Sequence, residues 1–241
     1  MSRGNPGVCF VIVEERVIAA LDMKSAEEAL SFLDGVPRLR FAKVGMQLFY
    51  REGLSLVREL KDRDLRVFLD LKIHDIPNTA FGAVQSLSTL GCDIINVHCA
   101  GGLEMMRRAR EAVTGDTKLI GVTILTSLDE QALHEEIGLA GDLQDHVLRY
   151  ASLAQKAGLH GVVCSPWETA LLKQQMGVDF LTVTPGVRPR TDDAQDQKRI
   201  MTPGDAVRHG SDYLVIGRPL TQAADPAEVL DGILREIEVN S

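Results

Sequence analysis

The stretch that decides the fold is residues 66–79, which reads RVFLDLKIHDIPNT. Its first half is an almost continuous apolar run, typical of a strand that is buried on both faces of a parallel sheet. Charged side chains appear where that run ends, first Asp70 and Lys72 and then Asp75 in the loop that follows. A segment of helical period comes next, so the stretch predicts one strand–loop–helix unit of an alternating α/β fold.

Similar units recur along the chain and predict its architecture. Short β-rich runs separated by segments of helical period predict eight strands, at residues 17–22, 41–45, 66–72, 94–99, 118–125, 161–165, 181–185 and 213–217. Eight strands, each followed by a candidate helix within about 200 residues, predict a closed (β/α)8 TIM barrel. A doubly wound open sheet is the alternative, and it is weakened because no GxGxxG motif follows any of the strands.

The helix starts and the domain boundaries follow from the same pattern. Ser25 and Glu28 form a capping box before one helix, and Asp225, Pro226 and Glu228 give the same signal before the last one. No linker or internal repeat divides the chain, so a single catalytic domain is expected over residues 16–241. Residues 1–15 are expected to be an N-terminal extension.

Composition and charge exclude several classes of protein. The chain has 241 residues and a net charge of −8, and an acidic surface disfavours nucleic acid and anionic lipid as partners. The four cysteines include no CxxC pair, which favours the cytoplasm over a secreted disulfide framework. The apolar run at residues 8–13 is too short for a signal peptide or a membrane span.

Polar residues follow the predicted strands at their carboxyl ends, where TIM barrels place their active sites. Asp70 and Lys72 are two positions apart, so regular strand alternation points them to the same side, and Lys43 lies inside the second strand. Further polar residues stand at other strand ends: Asp22, Asn96 with His98, Thr126 with Ser127, Ser165 and Arg218. This pattern predicts an active site at the barrel mouth.

The charged set Lys43, Asp70, Lys72 and Asp75 indicates a particular chemistry. Flanking carboxylates favour the ammonium form of a lysine, which suits proton donation to a developing carbanion better than Schiff-base formation. The alternative is an ion-pair network that only closes the barrel mouth. His74 and His98 are interpreted as groups that support their neighbours, not as an acid or a base.

Two segments near the carboxyl terminus predict a phosphate site. Residues 184–189 follow the seventh strand and residues 216–220 the eighth, and barrels often bind phosphate at these two loops. Gly217 lets backbone N–H groups approach an anion, and Arg218 offers a planar set of donors. Arg188 and Gln197 could fold over the phosphate. An ordinary turn with a solvated surface loop is the alternative for this region.

These residues together resemble a known family. Residues 70–79 resemble the signature of the orotidine 5′-phosphate decarboxylases, and other segments stand in the family's order: Asp22, residues 43–45, Thr126 with Ser127, residues 184–188, Gln197 and residues 216–218. The resemblance spans nearly the whole chain and is similar to the bacterial branch. It implies a homodimeric barrel with shared active sites that converts orotidine 5′-monophosphate to UMP and CO2, the last step of de novo pyrimidine synthesis. It also implies that no metal or organic cofactor is used.

The resemblance further implies a role for each matching residue. Lys72 is the proton donor to C6, Asp70 lies against the departing carboxylate, and Lys43 holds the network and contacts the ribose. Asp22 is implied to contact ribose hydroxyls, and Asp75 and Thr79 are implied to belong to the partner subunit's site. Ser127 and the Thr126 backbone are implied to contact the pyrimidine, and Gln197 the base and the phosphate. The implied phosphate region contains Arg188, Gly217 and Arg218, and Pro185 is a further implied substrate-binding position.

Three rival functions remain to be weighed. A Mg²⁺-dependent sugar-phosphate decarboxylase or aldolase of the same superfamily has a similar Asp-x-Lys-x-x-Asp motif, but the resemblance places an acidic residue there where Lys43 stands. A phosphate-binding barrel without activity would be expected to have lost at least one of the four charged residues. A class I aldolase also carries a lysine at a strand end.

Overall fold

The fold was analysed in a computed structural model that describes residues 12–189 and 201–240. Parallel strands close into a barrel in which each strand pairs with its neighbours in sequence and β8 pairs with β1. The strands are β1 Val17–Leu21, β2 Phe41–Gly45, β3 Arg66–Ile73, β4 Ile94–His98, β5 Lys118–Val122, β6 Gly161–Val163, β7 Leu181–Pro185 and β8 Tyr213–Ile216. The predicted TIM barrel and all eight predicted strands are therefore confirmed.

Helices alternate with the strands and lie around them. They are α1 Val13–Arg16, α2 Ala26–Asp34, α3 Met46–Asp62, α4 Pro77–Ser88, α5 Gly102–Glu111, α6 Glu130–Glu135, α7 Leu143–Lys156, α8 Thr169–Met176, α9 Pro203–Arg208, α10 Arg218–Thr221 and α11 Pro226–Asn240. A single 3-10 turn of the described chain, Cys99–Gly101, joins β4 to α5. The predicted caps are present, because Ser25 Oγ accepts a hydrogen bond from the Glu28 backbone and Asp225 Oδ1 accepts one from Glu228.

Two apolar layers hold the barrel together. One lies between the strands and the surrounding helices, and the other fills the barrel interior with side chains such as Ile18, Phe41, Phe68 and Ile94. Filled layers of this kind make the barrel a packed core and not a pore. Chemistry is therefore restricted to the barrel ends.

The amino-terminal end of the barrel is closed by an aromatic and charged cluster. The Arg66 guanidinium lies 4.5 Å from the centre of the Phe41 ring and bonds Glu15 at 2.7 Å and Asp93 at 3.1 Å. Glu15 belongs to α1, so this part of the expected N-terminal extension packs against the barrel. Residues 1–11 lie outside the described residues, and the boundary at residue 15 stays a prediction.

Five strands end earlier than predicted, and one strand is irregular. The largest differences are in the runs predicted at 118–125 and 161–165, which end as strands at Val122 and Val163. In β3 the register with β4 shifts between Leu69 and Ile73, and Lys72 adopts a positive φ of 50°. Such a φ is uncommon for a residue other than glycine. Regular alternation therefore does not hold at Lys72, although the sequence argument assumed it.

Candidate active site

A pocket of about 310 Å³ opens at the carboxyl ends of the strands. Its charged side is formed by Asp22, Lys43, Asp70 and Lys72. The rest of its lining is mainly apolar and includes Val122, Ile124, Leu125, Val163, Pro185 and Val215, together with Thr126, Gly186 and Gly217. A pocket with an apolar lining and a few charged groups suits a partly apolar ring that carries a charged substituent.

Asp70 is the centre of the charged side. Its Oδ1 atom lies 2.6 Å from Lys72 Nζ, and its Oδ2 atom lies 3.2 Å from Lys43 Nζ. Lys43 also lies 3.4 Å from Asp22 Oδ1, and its side chain is only 11% exposed. Three members of the predicted charged set, Lys43, Asp70 and Lys72, lie together here. Two carboxylates, Asp70 and Asp22, compensate the charge of Lys43, which explains how a lysine can stand inside a barrel strand.

The electrostatics of Asp70 favour its ionised form. Burial by itself would raise the pKa of this carboxyl group, but the nearby Lys43 charge and hydrogen bonds from Lys72 and Asn96 outweigh burial and lower the pKa below its ordinary value. The Asn96 amide donates to Asp70 Oδ1 at 2.7 Å. The ionised form of Asp70 is therefore favoured in the pocket, beside the Lys72 side chain.

Small residues give the charged side chains their room. A Cβ atom added at Gly45 would lie 3.3 Å from Lys43 Nζ and 3.5 Å from Asp22 Oδ1. At Gly217 an added Cβ would lie 3.9 Å from Asp22 Oδ2, and it would narrow the same side of the pocket. Glycine at the ends of β2 and β8 thus keeps space open next to the Asp22 carboxylate.

Asp75 and Thr79 do not line this pocket. Both are exposed on the rim, where Asp75 Oδ1 accepts a hydrogen bond from the Ile76 backbone at 2.7 Å. Ile76 is a large apolar residue and is 67% exposed. The sequence pattern grouped Asp75 with Lys72, but the turn after β3 directs it away from its own pocket.

The residues predicted to contact the phosphate and the base lie in the pocket lining or follow lining residues in sequence. Thr126, Pro185 and Gly217 line the pocket, whereas Ser127, Arg188 and Arg218 are exposed next to lining residues. The Arg188 backbone N–H donates to Met201 O at 3.2 Å, which joins the two ends of the segment that contains Gln197. Gln197 itself lies outside the described residues.

The strand-end residues Asn96 and His98 lie behind the charged side. His98 is half-buried and its ring lies 5.5 Å from the ring of His74. Burial, with the charges of His74 and Lys72, lowers the pKa of His98, so its imidazole is neutral near pH 7. The sequence pattern placed Asn96 among the polar residues at the strand ends, but it predicted no role for this residue.

Two features are absent from the described part of the chain. Within residues 12–189 and 201–240, no group of three or more His, Cys, Asp or Glu side chains is arranged to hold a metal ion. Over the same ranges no helix combines the length and the apolar character that a membrane crossing needs.

Comparison with known proteins agrees with this geometry. The family model described as "Orotidine 5'-phosphate decarboxylase / HUMPS family" matches residues 15–233. An orotidine 5′-phosphate decarboxylase of Sodalis glossinidius is 51% identical over 92% of this chain and 90% of its own length, and one of Streptococcus suis is 48% identical over 92% and 97%. The crystal structure of orotidine 5′-phosphate decarboxylase from Lactobacillus acidophilus superposes with a TM-score of 0.82 at 36% identity, covering 92% of this chain and 98% of that one.

Proposed function

Because this chain belongs to the orotidine 5′-phosphate decarboxylase / HUMPS family, we propose that it converts orotidine 5′-monophosphate to UMP and CO2. It is thus an enzyme, a carboxy-lyase, acting at the last step of de novo pyrimidine synthesis. In this reaction the bond between C6 and the carboxylate carbon breaks, CO2 leaves, and the electron pair stays at C6. A proton from the enzyme then completes the C6–H bond.

The observation that carries this proposal is the contact between Lys72 and Asp70. Lys72 Nζ lies 2.6 Å from Asp70 Oδ1 in the pocket, and its ammonium group can give a proton to the carbanion at C6. Solvent restores the proton on Lys72 after each turnover. Asp70 occupies the place next to the substrate carboxylate, where like charges repel until CO2 departs.

The ribose and the base have separate contacts in the proposed complex. Lys43 Nζ and Asp22 Oδ1 lie 3.4 Å apart on the charged side of the pocket, and both side chains can bind ribose hydroxyl groups. Thr126 and Ser127 follow the apolar wall formed by Val122 and Ile124, so they suit the polar edge of a pyrimidine whose ring lies on that wall. Hydrogen-bonding groups at one edge of an apolar slot are a common way to select one ring orientation.

The phosphate is assigned to the exposed edge of the pocket. Gly217 lines the pocket and the exposed Arg218 follows it as the first residue of α10, so a backbone N–H and a guanidinium are both available to an anion at this edge. Arg188, after Pro185, approaches from the other loop. Gln197 is assigned to the bridge between base and phosphate from the resemblance alone.

We assign Asp75 and Thr79 to the site of a partner subunit in a homodimer. Support comes from their exposed position on the mouth, together with three large apolar side chains that each follow a strand end and are exposed there, Met46, Ile76 and Leu125. A two-fold axis near the mouth would cover these side chains and bring Asp75 of each subunit to the other subunit's pocket.

The rival activities in the same superfamily need different site chemistry. A divalent cation at Asp70 would have to displace two ammonium groups, because Lys72 and Lys43 each contact one of its carboxylate oxygens. A Schiff base would need a neutral lysine, which a neighbouring ionised carboxylate disfavours. Neither rival is supported by a feature of this pocket.

The cytoplasm is the proposed location. The three cysteines of the described chain, Cys92, Cys99 and Cys164, are buried free thiols. Burial raises the pKa of both Cys92 and Cys99 to about 12, so these thiols are protonated and unreactive. A chain with such thiols suits a reducing compartment.

The direct test is to follow the absorbance of orotidine 5′-monophosphate after adding purified protein in the presence of EDTA. We expect complete conversion to UMP, with one equivalent of CO2 released. A folded preparation that leaves the substrate unchanged would reject the proposed function. Activity that appears only after Mg²⁺ is added back would instead favour the metal-dependent rival.

A further inference from the structure

Two backbone irregularities of the described chain coincide at Lys72, the proposed proton donor. Lys72 is one of two non-glycine residues with positive φ in the described chain, the other being Asp64 in the turn that follows α3. At the same place the pairing of β3 with β4 shifts register between Leu69 and Ile73. A bulge of this kind re-aims a side chain, and a backbone strained in this way persists only where neighbouring groups hold it.

The group that holds it is the side-chain amide of Asn96. Asn96 is completely buried on β4 and uses both ends of its amide on β3. Its Oδ1 atom accepts the backbone N–H of Lys72 at 2.8 Å, and its Nδ2 atom donates to Asp70 Oδ1 at 2.7 Å. The orientation of the amide is unambiguous, because a flipped amide would set its oxygen against a carboxylate and its NH2 group against an N–H.

We propose that Asn96 is a positioning residue, which fixes the bulge in β3 and thereby holds the Lys72 ammonium against Asp70 for proton transfer. This proposal rests on the proposed function. One amide ties the backbone of Lys72 to the side chain of Asp70, so the proton donor and the carboxylate cannot move independently. Asn96 itself does not line the pocket and needs no contact with substrate.

Removing the amide should change catalysis in a way that lost stability alone would not. The substrate's phosphate, ribose and base contacts lie on other residues, so KM should stay within about threefold of the wild-type value. The donor would no longer be aligned, and a misplacement of about 1 Å can cost about 10²-fold in rate. We therefore expect a loss of about 10²-fold in kcat for Asn96→Leu, a near-isosteric change that removes both hydrogen bonds.

The pH dependence of kcat gives a second readout. The charged groups that face Asp70 are Lys43 on β2, Lys72 on β3 and, more remotely, Asp22 after β1, and the titratable His98 lies on β4. Losing the Asn96 donor raises the pKa of Asp70 toward its ordinary value. A higher pH is then needed to ionise Asp70, so the acidic limb of the kcat profile should move to higher pH.

Two further variants complete the experiment. Asn96→Asp keeps an acceptor for the Lys72 N–H but sets a second carboxyl oxygen, in place of the amide donor, against Asp70 Oδ1. This like charge raises the pKa of Asp70 further, so the acidic limb should move to higher pH than in Asn96→Leu. Thr117→Val is the matched control, because Thr117 is buried at the opposite end of the β4–β5 pair and its hydroxyl donates to Cys92 O at 2.7 Å. It should lower the melting temperature and leave kcat, KM and the pH profile unchanged.

The outcomes separate this proposal from the proposed function. The positioning role is rejected if wild type converts the substrate and both Asn96 variants keep kcat within about threefold of wild type. The Asn96 variants would then differ from wild type only in stability, as Thr117→Val does. If wild type is inactive, the proposed function fails, and crystal structures of the Asn96 variants then decide the geometry. An unchanged φ at Lys72 and an unchanged Lys72–Asp70 contact in both variants would overturn the proposal.

Discussion

At the scale of single residues, the molecule concentrates charge around one carboxylate. Asp70 receives an ammonium group on each oxygen and an amide on one of them, with a side chain that is only 13% exposed. Burial of an ion on this scale is tolerated only when it is paired and hydrogen-bonded. Complete pairing offsets the free-energy cost of burying the Asp70 charge. Removing one partner is destabilising, because part of that charge is then buried without compensation.

Lys72→Ala tests the proton donor. We expect kcat to fall by at least about 10³-fold, near the upper range for loss of a general acid, while the barrel stays folded. Loss of this partner also raises the pKa of Asp70 toward its ordinary value of 3.8, so the variant has less stability to lose than wild type as the pH falls below that value. Lys61→Ala is the control, because Lys61 pairs with Asp93 at 2.9 Å away from the pocket. Turnover by Lys72→Ala within tenfold of wild type would exclude Lys72 as the donor.

Arg218→Ala tests the phosphate site. A charged hydrogen bond contributes about 1.5–3 kcal/mol, so kcat/KM for orotidine 5′-monophosphate should fall between about tenfold and a hundredfold. Orotidine, which lacks the phosphate, should be a very poor substrate for wild type and should be little affected by the change. Steady-state kinetics with both substrates measure this. If the variant distinguishes the two substrates as strongly as wild type does, Arg218 does not bind the phosphate.

At the scale of elements, the closed barrel depends on strands that approach each other closely. The shortest strand, β6, begins at Gly161, where an added Cβ atom would lie 2.1 Å from Leu181 O on β7. A backbone carbonyl in a ladder cannot move aside as the tip of a flexible side chain can. Glycine is required here because of the neighbouring strand, not because of its own dihedral angles.

Two glycine substitutions should therefore act in opposite directions. Gly161→Ala should lower the free energy of unfolding by about 1–3 kcal/mol through overpacking. Gly232→Ala, inside α11 with no atom within 4 Å of the added Cβ, should raise it by about 0.5–1 kcal/mol, because alanine favours the helix. Urea unfolding measures both. Equal effects of the two changes would show that the contact between β6 and β7 is not limiting.

At the scale of the whole molecule, each subunit of the proposed dimer contributes residues of its barrel mouth to two active sites, its own and that of its partner. Lys43 and Lys72 line their own subunit's pocket, whereas Asp75 is exposed beside Ile76 on the rim. A two-fold axis uses the same surface twice and creates two equivalent sites. Each site would then combine pocket residues of one subunit with Asp75 of the other.

Co-expression of two inactive variants tests this arrangement. In a mixed dimer of Lys72→Ala with Asp75→Ala, one site collects both changes and the other collects neither. Random pairing makes about half of the dimers mixed, so about a quarter of all sites should regain activity. The control pair, Lys72→Ala with Lys43→Ala, should regain none, because every site then carries one change. Mass spectrometry confirms the mixed dimers, and an Asp75 mixture no more active than its two components would reject shared sites.

The sequence by itself determined the barrel and the identity of its charged centre. Continuous apolar runs alternating with helical period specify buried parallel strands, and the ends of such strands must meet at one mouth. Local periodicity and this one general property of the fold were enough to predict that Lys43, Asp70 and Lys72 lie at the same barrel mouth. No long-range contact had to be known.

The tertiary structure alone decided how these groups are aimed. The bulge at Lys72 depends on Asn96, which is 24 residues away in sequence and becomes a neighbour only when β3 pairs with β4. The direction of Asp75 likewise depends on the turn after β3 and not on its spacing from Lys72. Strand periodicity places a side chain on a face, but hydrogen bonds between strands select the backbone conformation, and those bonds exist only once the neighbouring strands have paired.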